Sequence, residues 1–356
     1  TERFGQVRLP EVEVVDIKEL QRKRRMAGPF SPRLLEEMRR ALENKEQVIL
    51  FQNRRGYSPM IECHTCGWVP KCKNCDVSLT YHKGLNQMTC NYCGYTCNVP
   101  TRCPACEGTE LVQRGFGTEK VEDAVHQVFP EAAVARMDLD TTRTRSAYEG
   151  ILEDFQSGKT DVLIGTKMVT KGLDFERVSV VGILNADAML NIPDFRSFER
   201  AFQLMAQVAG RAGRRSRQGR VILQTKSPDL PLIRQVTEHD YFGLYVGKME
   251  ERQMFVYPPF CRLIYVYMKH KRAGVLDHVA AEMGSRLRQV FGSRILGPDA
   301  PPVARIQLLY IRKIVVKVEL GASLAKVREQ LLYLRQNLMA HPDYRNAQIY
   351  YDADPV

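Results

Sequence analysis

The 356-residue sequence is short of several things. It has no uninterrupted apolar run near the ~18–20 residues of a membrane-spanning helix, and the stretch from Thr1 to Pro10 has no apolar core of a secretory signal. It begins without an initiator Met, so it is expected to be a piece of a longer protein. There is one Trp, no internal repeat and no low-complexity tract. A Gly-x-x-x-x-Gly-Lys-Ser/Thr loop that cradles phosphates is missing, as is an Asp-Glu-x-His metal motif. No cluster of acidic residues is spaced for catalytic metals, which argues against a nuclease. Outside one short stretch there is a single cysteine, Cys261. With no apolar signal core and cysteines confined to one region, a secreted disulfide scaffold is not expected, and the cysteines read as metal ligands in a reducing cytoplasm.

What is present is ordinary in bulk: 44% hydrophobic and 26% charged residues, as in a folded globular chain rather than a disordered one. The length suggests about two to three domains. Charge is skewed. Lys and Arg number 52 against 41 Asp and Glu, a net of +11, so a polyanion, nucleic acid above all, is the expected partner. From Arg262 onward there are 15 basic and 8 acidic residues, a net of +7, whereas residues 62–113 carry four of each. A second excess is the Arg cluster at 211–220.

Hydrophobic periodicity places the elements. Residues 1–30, with the basic run Arg22-Lys23-Arg24-Arg25, read as a polar, solvated linker. Ser31-Pro32 opens a helix whose apolar face is Leu34, Leu35, Met38 and Leu42. The all-apolar Val48-Ile49-Leu50-Phe51 suits a strand buried on both faces. Beyond residue 113, Thr118 is expected to cap a helix to Val128. A strand is expected at 134–137, a helix at 146–157, strands at 162–164 and 178–184, a helix at 197–209 and a strand at 221–223. Such alternation implies an α/β lobe with a parallel sheet, made of 1–61 and 114–245, with 62–113 inserted. After Pro258-Pro259 the pattern predicts a strand at 263–267, a helix at 275–291, strands at 306–311 and 314–318, a helix at 324–339 and a strand from Ile349. That is a small α+β domain, 246–356.

The insertion holds four Cys-x-x-Cys knuckles: Cys63/Cys66, Cys72/Cys75, Cys90/Cys93 and Cys103/Cys106. Two knuckles supply the four thiolates of one tetrahedral zinc, so eight cysteines make two closed, structural sites. Fourteen residues separate the second and third knuckles, enough for a hairpin; only five separate the first and second. Nested pairing follows, inner with inner and outer with outer. Gly67 and Gly94, directly after second cysteines, fit a turn that needs positive φ. Cys97 and Cys261 are left as free thiols, and His64 and His82 are not needed as ligands. Trp68, Tyr81, Tyr92 and Tyr95 suit either packing around the metal or contact with a partner.

Three polar segments follow apolar elements: Asn53-Arg54-Arg55-Gly56; Gly165-Thr166-Lys167-Met168 running to Lys171-Gly172-Leu173-Asp174-Phe175; and Gln207-Val208-Ala209-Gly210-Arg211-Ala212-Gly213-Arg214. Glycines permit close backbone approach, and Thr hydroxyls and N–H groups suit phosphate oxygens. Two arginines three apart suit the charge that develops on a transferring phosphoryl group.

This ordered set resembles motifs IV, V and VI in the second RecA-like lobe of superfamily 2 helicases. An insertion with two four-cysteine sites after Asn53-Arg54-Arg55-Gly56 narrows the resemblance to the bacterial primosomal replication-restart helicases, the PriA family. So do Gly115-Phe116-Gly117-Thr118-Glu119 and Arg136-Met137-Asp138-Leu139-Asp140-Thr141-Thr142. The resemblance implies an ATP-dependent 3′-to-5′ DNA helicase that recognises stalled forks and starts primosome assembly. It implies that Arg211 and Arg214 contact the ATP γ-phosphate, that Gln207 couples nucleotide to DNA, and that Gly172 and Asp174 lie near the nucleotide. Arg54, Gly165, Thr166 and Lys167 would line the DNA strand; the family carries Gln where this chain has Lys167. The tail would bind DNA through Arg305, Arg312 and Lys313 and help receive the acidic tail of single-strand DNA-binding protein. ATP and Mg²⁺ would be held with a first lobe N-terminal to this chain, so the chain alone is expected to be inactive. The rival reading is a zinc-dependent DNA-fork scaffold that never couples to ATP.

Overall fold

The computed structural model describes residues 9–52, 60–82, 86–114, 117–138, 140–170, 175–190, 194–213 and 218–355. They form two compact units: Thr1–Pro59 with Gly115–Tyr245, and Met60–Arg114 with Val246–Val356. The first unit opens with β1 (Glu11–Asp16), α1 (Ile17–Arg22), α2 (Pro32–Glu43) and β2 (Gln47–Phe51). The chain then enters the second unit as β3 (Met60–Cys63), β4 (Thr80–His82), β5 (Gln87–Thr89), β6 (Thr96–Asn98) and β7 (Leu111–Arg114). It returns as α3 (Thr118–Val128), β8 (Val134–Met137), α4 (Arg145–Ser157), β9 (Val162–Gly165), β10 (Val178–Ile183), α5 (Asp187–Leu190), α6 (Ser197–Ala209), β11 (Arg220–Thr225) and α7 (Pro231–Thr237). The division falls within α8 (Tyr241–Met254). The rest is β12 (Arg262–His270), α9 (Ala273–Phe291), β13 (Ile295–Asp299), β14 (Arg305–Ile306), β15 (Leu309–Val318), α10 (Leu324–Met339) and β16 (Gln348–Ala353).

In the first unit, six parallel strands lie in the order β1-β11-β10-β2-β9-β8. Residues 48–51 are wholly buried because alternate side chains enter two cores. Val48 and Leu50 meet Phe30, Leu34, Met38 and Val121 on one face. Ile49 and Phe51 meet Phe155, Val169, Met205 and Val208 on the other. The expected α/β lobe is therefore a helix–sheet–helix sandwich. Ser31 caps α2 by accepting from the Leu34 N–H at 3.2 Å, with Pro32 at the first turn.

In this unit two local expectations fail. The stretch before residue 31 is not all linker: residues 11–16 pair parallel with β11, and Ile17 is buried, although residues 22–25 are exposed as expected. Alternating Glu and Val suit a strand at the sheet's border, where one row of charges stays wet. Thr118 does not cap α3. Gly117 occupies that position without a side-chain bond, because the Thr118 hydroxyl donates instead to Asp138.

In the second unit, the tail forms an antiparallel sheet in the order β13-β15-β12-β16, with β14 paired to β15. α9 and α10 cover one face through Leu276, Met283, Leu287, Leu331 and Leu338. The two strands expected at 306–311 and 314–318 are instead a hairpin turning at Gln307-Leu308 and one continuous strand through Arg312-Lys313. Both turn residues have positive φ, 50° and 66°, the conformation of a tight two-residue hairpin. The Cys-rich part is the ladder β3–β7 and the meander β4-β5-β6.

Candidate functional site

The eight knuckle cysteines gather as expected. Cys63, Cys66, Cys103 and Cys106 form one cluster; Cys72, Cys75, Cys90 and Cys93 form the other. Within each, all sulfurs lie within 4.8 Å of one another. Neighbouring sulfurs approach to 3.6 Å in the pairs Cys63/Cys106, Cys66/Cys103 and Cys72/Cys93. Tetrahedral Zn–S bonds of ≈ 2.3 Å place sulfurs about 3.8 Å apart, so the donor set fits zinc and leaves no position for water.

The backbone builds these cages. In three knuckles the fifth residue donates its N–H back to the first cysteine's carbonyl: Gly67 to Cys63, Gly94 to Cys90 and Glu107 to Cys103. Gly67 and Gly94 have φ of +72°, as the turn demands. The second knuckle differs. Asp76 donates to the Arg305 carbonyl at 2.9 Å, and Leu308 donates to the Asn74 carbonyl at 2.8 Å. The Gln307 N–H points at the Cys75 sulfur at 3.3 Å, and Ile306 packs on the same cluster. The β14–β15 hairpin thus completes the inner cage, a link across more than 200 residues that the sequence does not announce.

Tyr81 and Tyr95 pack around the inner cluster, whereas Tyr92 is half exposed. His64 pairs with Glu110 at 3.2 Å on the surface. Cys261 is buried with its thiol on the Val256 carbonyl.

In the first unit, Gly165 closes β9. A Cβ there would lie 2.0 Å from Val169 Cγ1, so only glycine admits the short helical turn Lys167–Thr170. Thr166 donates its N–H to the Met137 carbonyl, and Lys167 is exposed. This turn packs against α6. Gln207 is exposed on the last turn of α6. Arg211 follows, half-buried, and Gly213 donates to the Val178 carbonyl at 2.9 Å. Gly165 and Thr166 therefore sit at the carboxyl edge of the sheet. Arg211 does not share it, because α6 runs back to the amino end of β10. Arg54, Gly172, Asp174 and Arg214 lie outside the described residues.

The segment Arg136–Thr142 stands out in the sequence without a role of its own. Asp138, 1% exposed, is its centre. It accepts from Thr118 and from the N–H groups of Asp140 and Thr141, and Arg136 lies 3.5 Å away while also pairing with Glu119 and Glu122. The Thr142 hydroxyl reaches the Met168 sulfur at 3.3 Å, tying this knot to the 167–170 turn. Burial pushes the Asp138 carboxyl up, but the Thr118 hydroxyl, Arg136 and the backbone donors together hold it below its ordinary value. A carboxyl depressed in the fold stabilises above the unfolded value near ~3.9, and that stability is lost as pH falls toward the lower folded value. Asp138→Ala is expected to cost about 2–3 kcal/mol at pH 7, since it orphans buried donors. The cost should shrink toward pH 3 in denaturant titrations; an equal loss at both pH values would contradict this account.

Arg305, Arg312 and Lys313 do not form one basic patch. Arg312 points to the helical face and pairs with Asp277 of α9 at 2.6 Å. Lys313, next in the strand, points to the opposite face, where its ammonium lies 4.6 Å from the Tyr265 ring. Arg305 lies over Tyr310 on the hairpin.

Family comparison matches this layout segment by segment. Residues 72–97 match the PriA DNA helicase Cys-rich region, 116–216 the helicase conserved C-terminal domain, and 253–356 the primosomal protein N C-terminal domain. The chain belongs to the PriA family. The replication restart protein PriA of Bacillus subtilis is 40% identical over 91% of this chain and 40% of its own length. The PriA proteins of Synechocystis and Haemophilus influenzae are 38% and 37% identical over 89% and 82% of the chain. These cover 39% and 40% of those proteins, so the chain spans about 40% of the length of these curated PriA relatives. Among solved structures, RecG bound to a three-way DNA junction aligns with a TM-score of 0.39 at 11% identity, over 70% of this chain and 23% of that one. Among the described residues no helix is long and apolar enough to cross a membrane.

Proposed function

We propose that the chain is the C-terminal part of an ATP-dependent 3′-to-5′ DNA helicase that recognises stalled replication forks and initiates primosome assembly in the bacterial cytoplasm. The observation that carries this reading is the helicase C-terminal match over 116–216, which falls on the parallel-sheet lobe holding Gly165, Thr166, Gln207 and Arg211. In this reading 1–61 with 114–245 is the second RecA-like lobe, 62–113 the zinc-stiffened part, and 246–356 the DNA- and partner-binding part. Arg211 and Arg214 clamp the γ-phosphate, Gln207 relays nucleotide state to DNA, and Gly172 and Asp174 approach the nucleotide. Arg54, Gly165, Thr166 and Lys167 follow the strand. ATP and Mg²⁺ are held jointly with a first lobe. Eight thiolates hold two zinc ions whose role is structural.

Partners include single-strand DNA-binding protein and other primosome components. A groove of about 330 Å³ in the tail suits the acidic end of the former: Leu324, Leu331 and Leu332 give it apolar walls, and Arg262 and Arg328 line it as cations, with Asp354 3.8 Å from Arg262. A short peptide with apolar side chains and carboxylates matches both features.

The test uses a protein extended to its relatives' full length on a forked oligonucleotide. ATP-dependent strand separation is expected, abolished without ATP. Fork binding with no ATP-dependent separation would overturn the helicase reading.

A further inference from the structure

The four-stranded sheet of the tail has two faces, and only one is covered by α9 and α10. The other carries an aromatic row. Tyr267 of β12 and Tyr350 of β16 are register partners, their rings stacked at 5.1 Å and 18°. Tyr265, two residues along β12, meets Tyr267 edge-on at 6.1 Å. Two cations flank the row: the Lys269 ammonium lies 4.9 Å from the Tyr350 ring and that of Lys313 4.6 Å from Tyr265. Among the described residues neither lysine has a carboxylate within ion-pair distance, and Tyr350 is 41% exposed.

We propose that this face is a stacking platform for single-stranded nucleic acid. Rings on alternate positions of adjacent strands present flat apolar surfaces that accept the π-face of any unstacked base. Lys269 and Lys313 hold their ammonium groups over the rings of Tyr350 and Tyr265, so an entering base takes the ammonium's place and the lysine turns to the neighbouring phosphate. A duplex offers only base edges and phosphates, so the tyrosines add nothing to its binding. An acidic partner protein would use the lysines but not three rings in a row. Two carboxylates stand in the same rows, Asp352 opposite Tyr265 and Asp299 opposite Lys313, and they confine phosphate binding to the lysines. The position of Arg312 on the helical face removes it from this surface, while its neighbour Lys313 belongs to it.

The inference rests on the reading of the chain as DNA-binding, not on helicase activity, and the two fail separately. The 356-residue chain is titrated against a fluorescent oligothymidine and against a duplex. The double variant Tyr267→Ala/Tyr350→Ala is expected to weaken oligothymidine binding about tenfold or more and to leave duplex binding unchanged. Tyr267→Phe/Tyr350→Phe keeps the stacking and is expected to bind as the parent does. Lys269→Ala/Lys313→Ala lowers the slope of log affinity against log salt by about 1.4, or roughly 0.7 for each phosphate no longer neutralised. Photocrosslinking of an iodouracil oligonucleotide to the unsubstituted chain, independent of any variant's folding, is expected to label peptides containing 262–270 or 348–353. Crosslinks only elsewhere, or equal binding by the folded alanine variant, overturn the platform and leave the helicase reading untouched. Absent fork unwinding with these crosslinks intact does the reverse.

Discussion

Replacing Cys90 with Ala is expected to lower the zinc content from two ions per chain to about one and to unfold the inner cage while the outer one persists. The clusters are separate, with four sulfurs each, so one substitution breaks one cage. The region between 62 and 113 has little core of its own; its buried side chains are mostly the cysteines themselves with Leu79, Thr80 and Met88. Metal must therefore supply the folding free energy, and structural zinc supplies roughly 10–16 kcal/mol per site at pH 7. Ligation requires thiolates. Burial pushes the Cys72, Cys75 and Cys90 thiols up, while Cys63 falls to about 6, chiefly through the Cys66 N–H. Binding zinc thus releases protons, and affinity weakens as pH falls.

The loss should reach the tail, because two backbone hydrogen bonds and the Gln307 N–H on the Cys75 sulfur tie 74–76 to 305–308. Hydrogen exchange is expected to rise at 72–97 and at 305–310. It should stay low at β2, β9 and β10, which sit between two cores of their own. Chelating both ions should extend the exchange to all of 62–113. Metal analysis giving one zinc or none in the unsubstituted chain would sink the two-site account. Unchanged exchange at 305–310 would sink the link to the tail.

What the sequence made legible, and what it hid, follows from the range of each interaction. Val48-Ile49-Leu50-Phe51 and Val162-Leu163-Ile164 announced a sheet covered on both faces, because such burial leaves no polar alternation. The nested cysteine pairing followed from loop lengths. β1 was missed because Glu11 and Glu13 break its apolar run, and its place depends on pairing with residues more than 200 positions away. The tail hairpin was misplaced because Arg312-Lys313 read as an interruption, yet neighbouring strand residues face opposite ways, one toward Asp277 and one toward Tyr265. Thr118 looked like a cap because capping is local; its real partner, Asp138, follows another strand. The aromatic row has no signature in one dimension either, since Tyr350 and Tyr267 become neighbours only through sheet register.

Arg211→Ala, placed in a protein of the relatives' full length, is expected to cut DNA-stimulated ATP hydrolysis by about 10²-fold or more. The turn that presents Arg211 is fixed: α6 ends at Ala209, and the Gly213 N–H is held by the Val178 carbonyl, with φ of +65° at Gly213. A planar guanidinium with five donors, presented on such a turn, stabilises charge that grows as the γ-phosphoryl group leaves. Because Arg211 is half-buried, its truncation also removes packing, and two controls separate that from chemistry. DNA affinity and the thermal unfolding midpoint of the lobe should change little compared with hydrolysis. Arg211→Lys keeps the charge but loses the fork of donors, so it should restore packing and only a small part of the rate. Arg214→Ala should give a similar loss, as two clamps on one phosphate predict. The 356-residue chain by itself is expected to hydrolyse no ATP with or without DNA, since it contains no Gly-x-x-x-x-Gly-Lys-Ser/Thr loop to cradle the phosphates. DNA-stimulated hydrolysis by the chain alone would refute the two-lobe site. Near-parental rates in both alanine variants would refute the arginine assignment and leave the fold and the zinc cages as they stand.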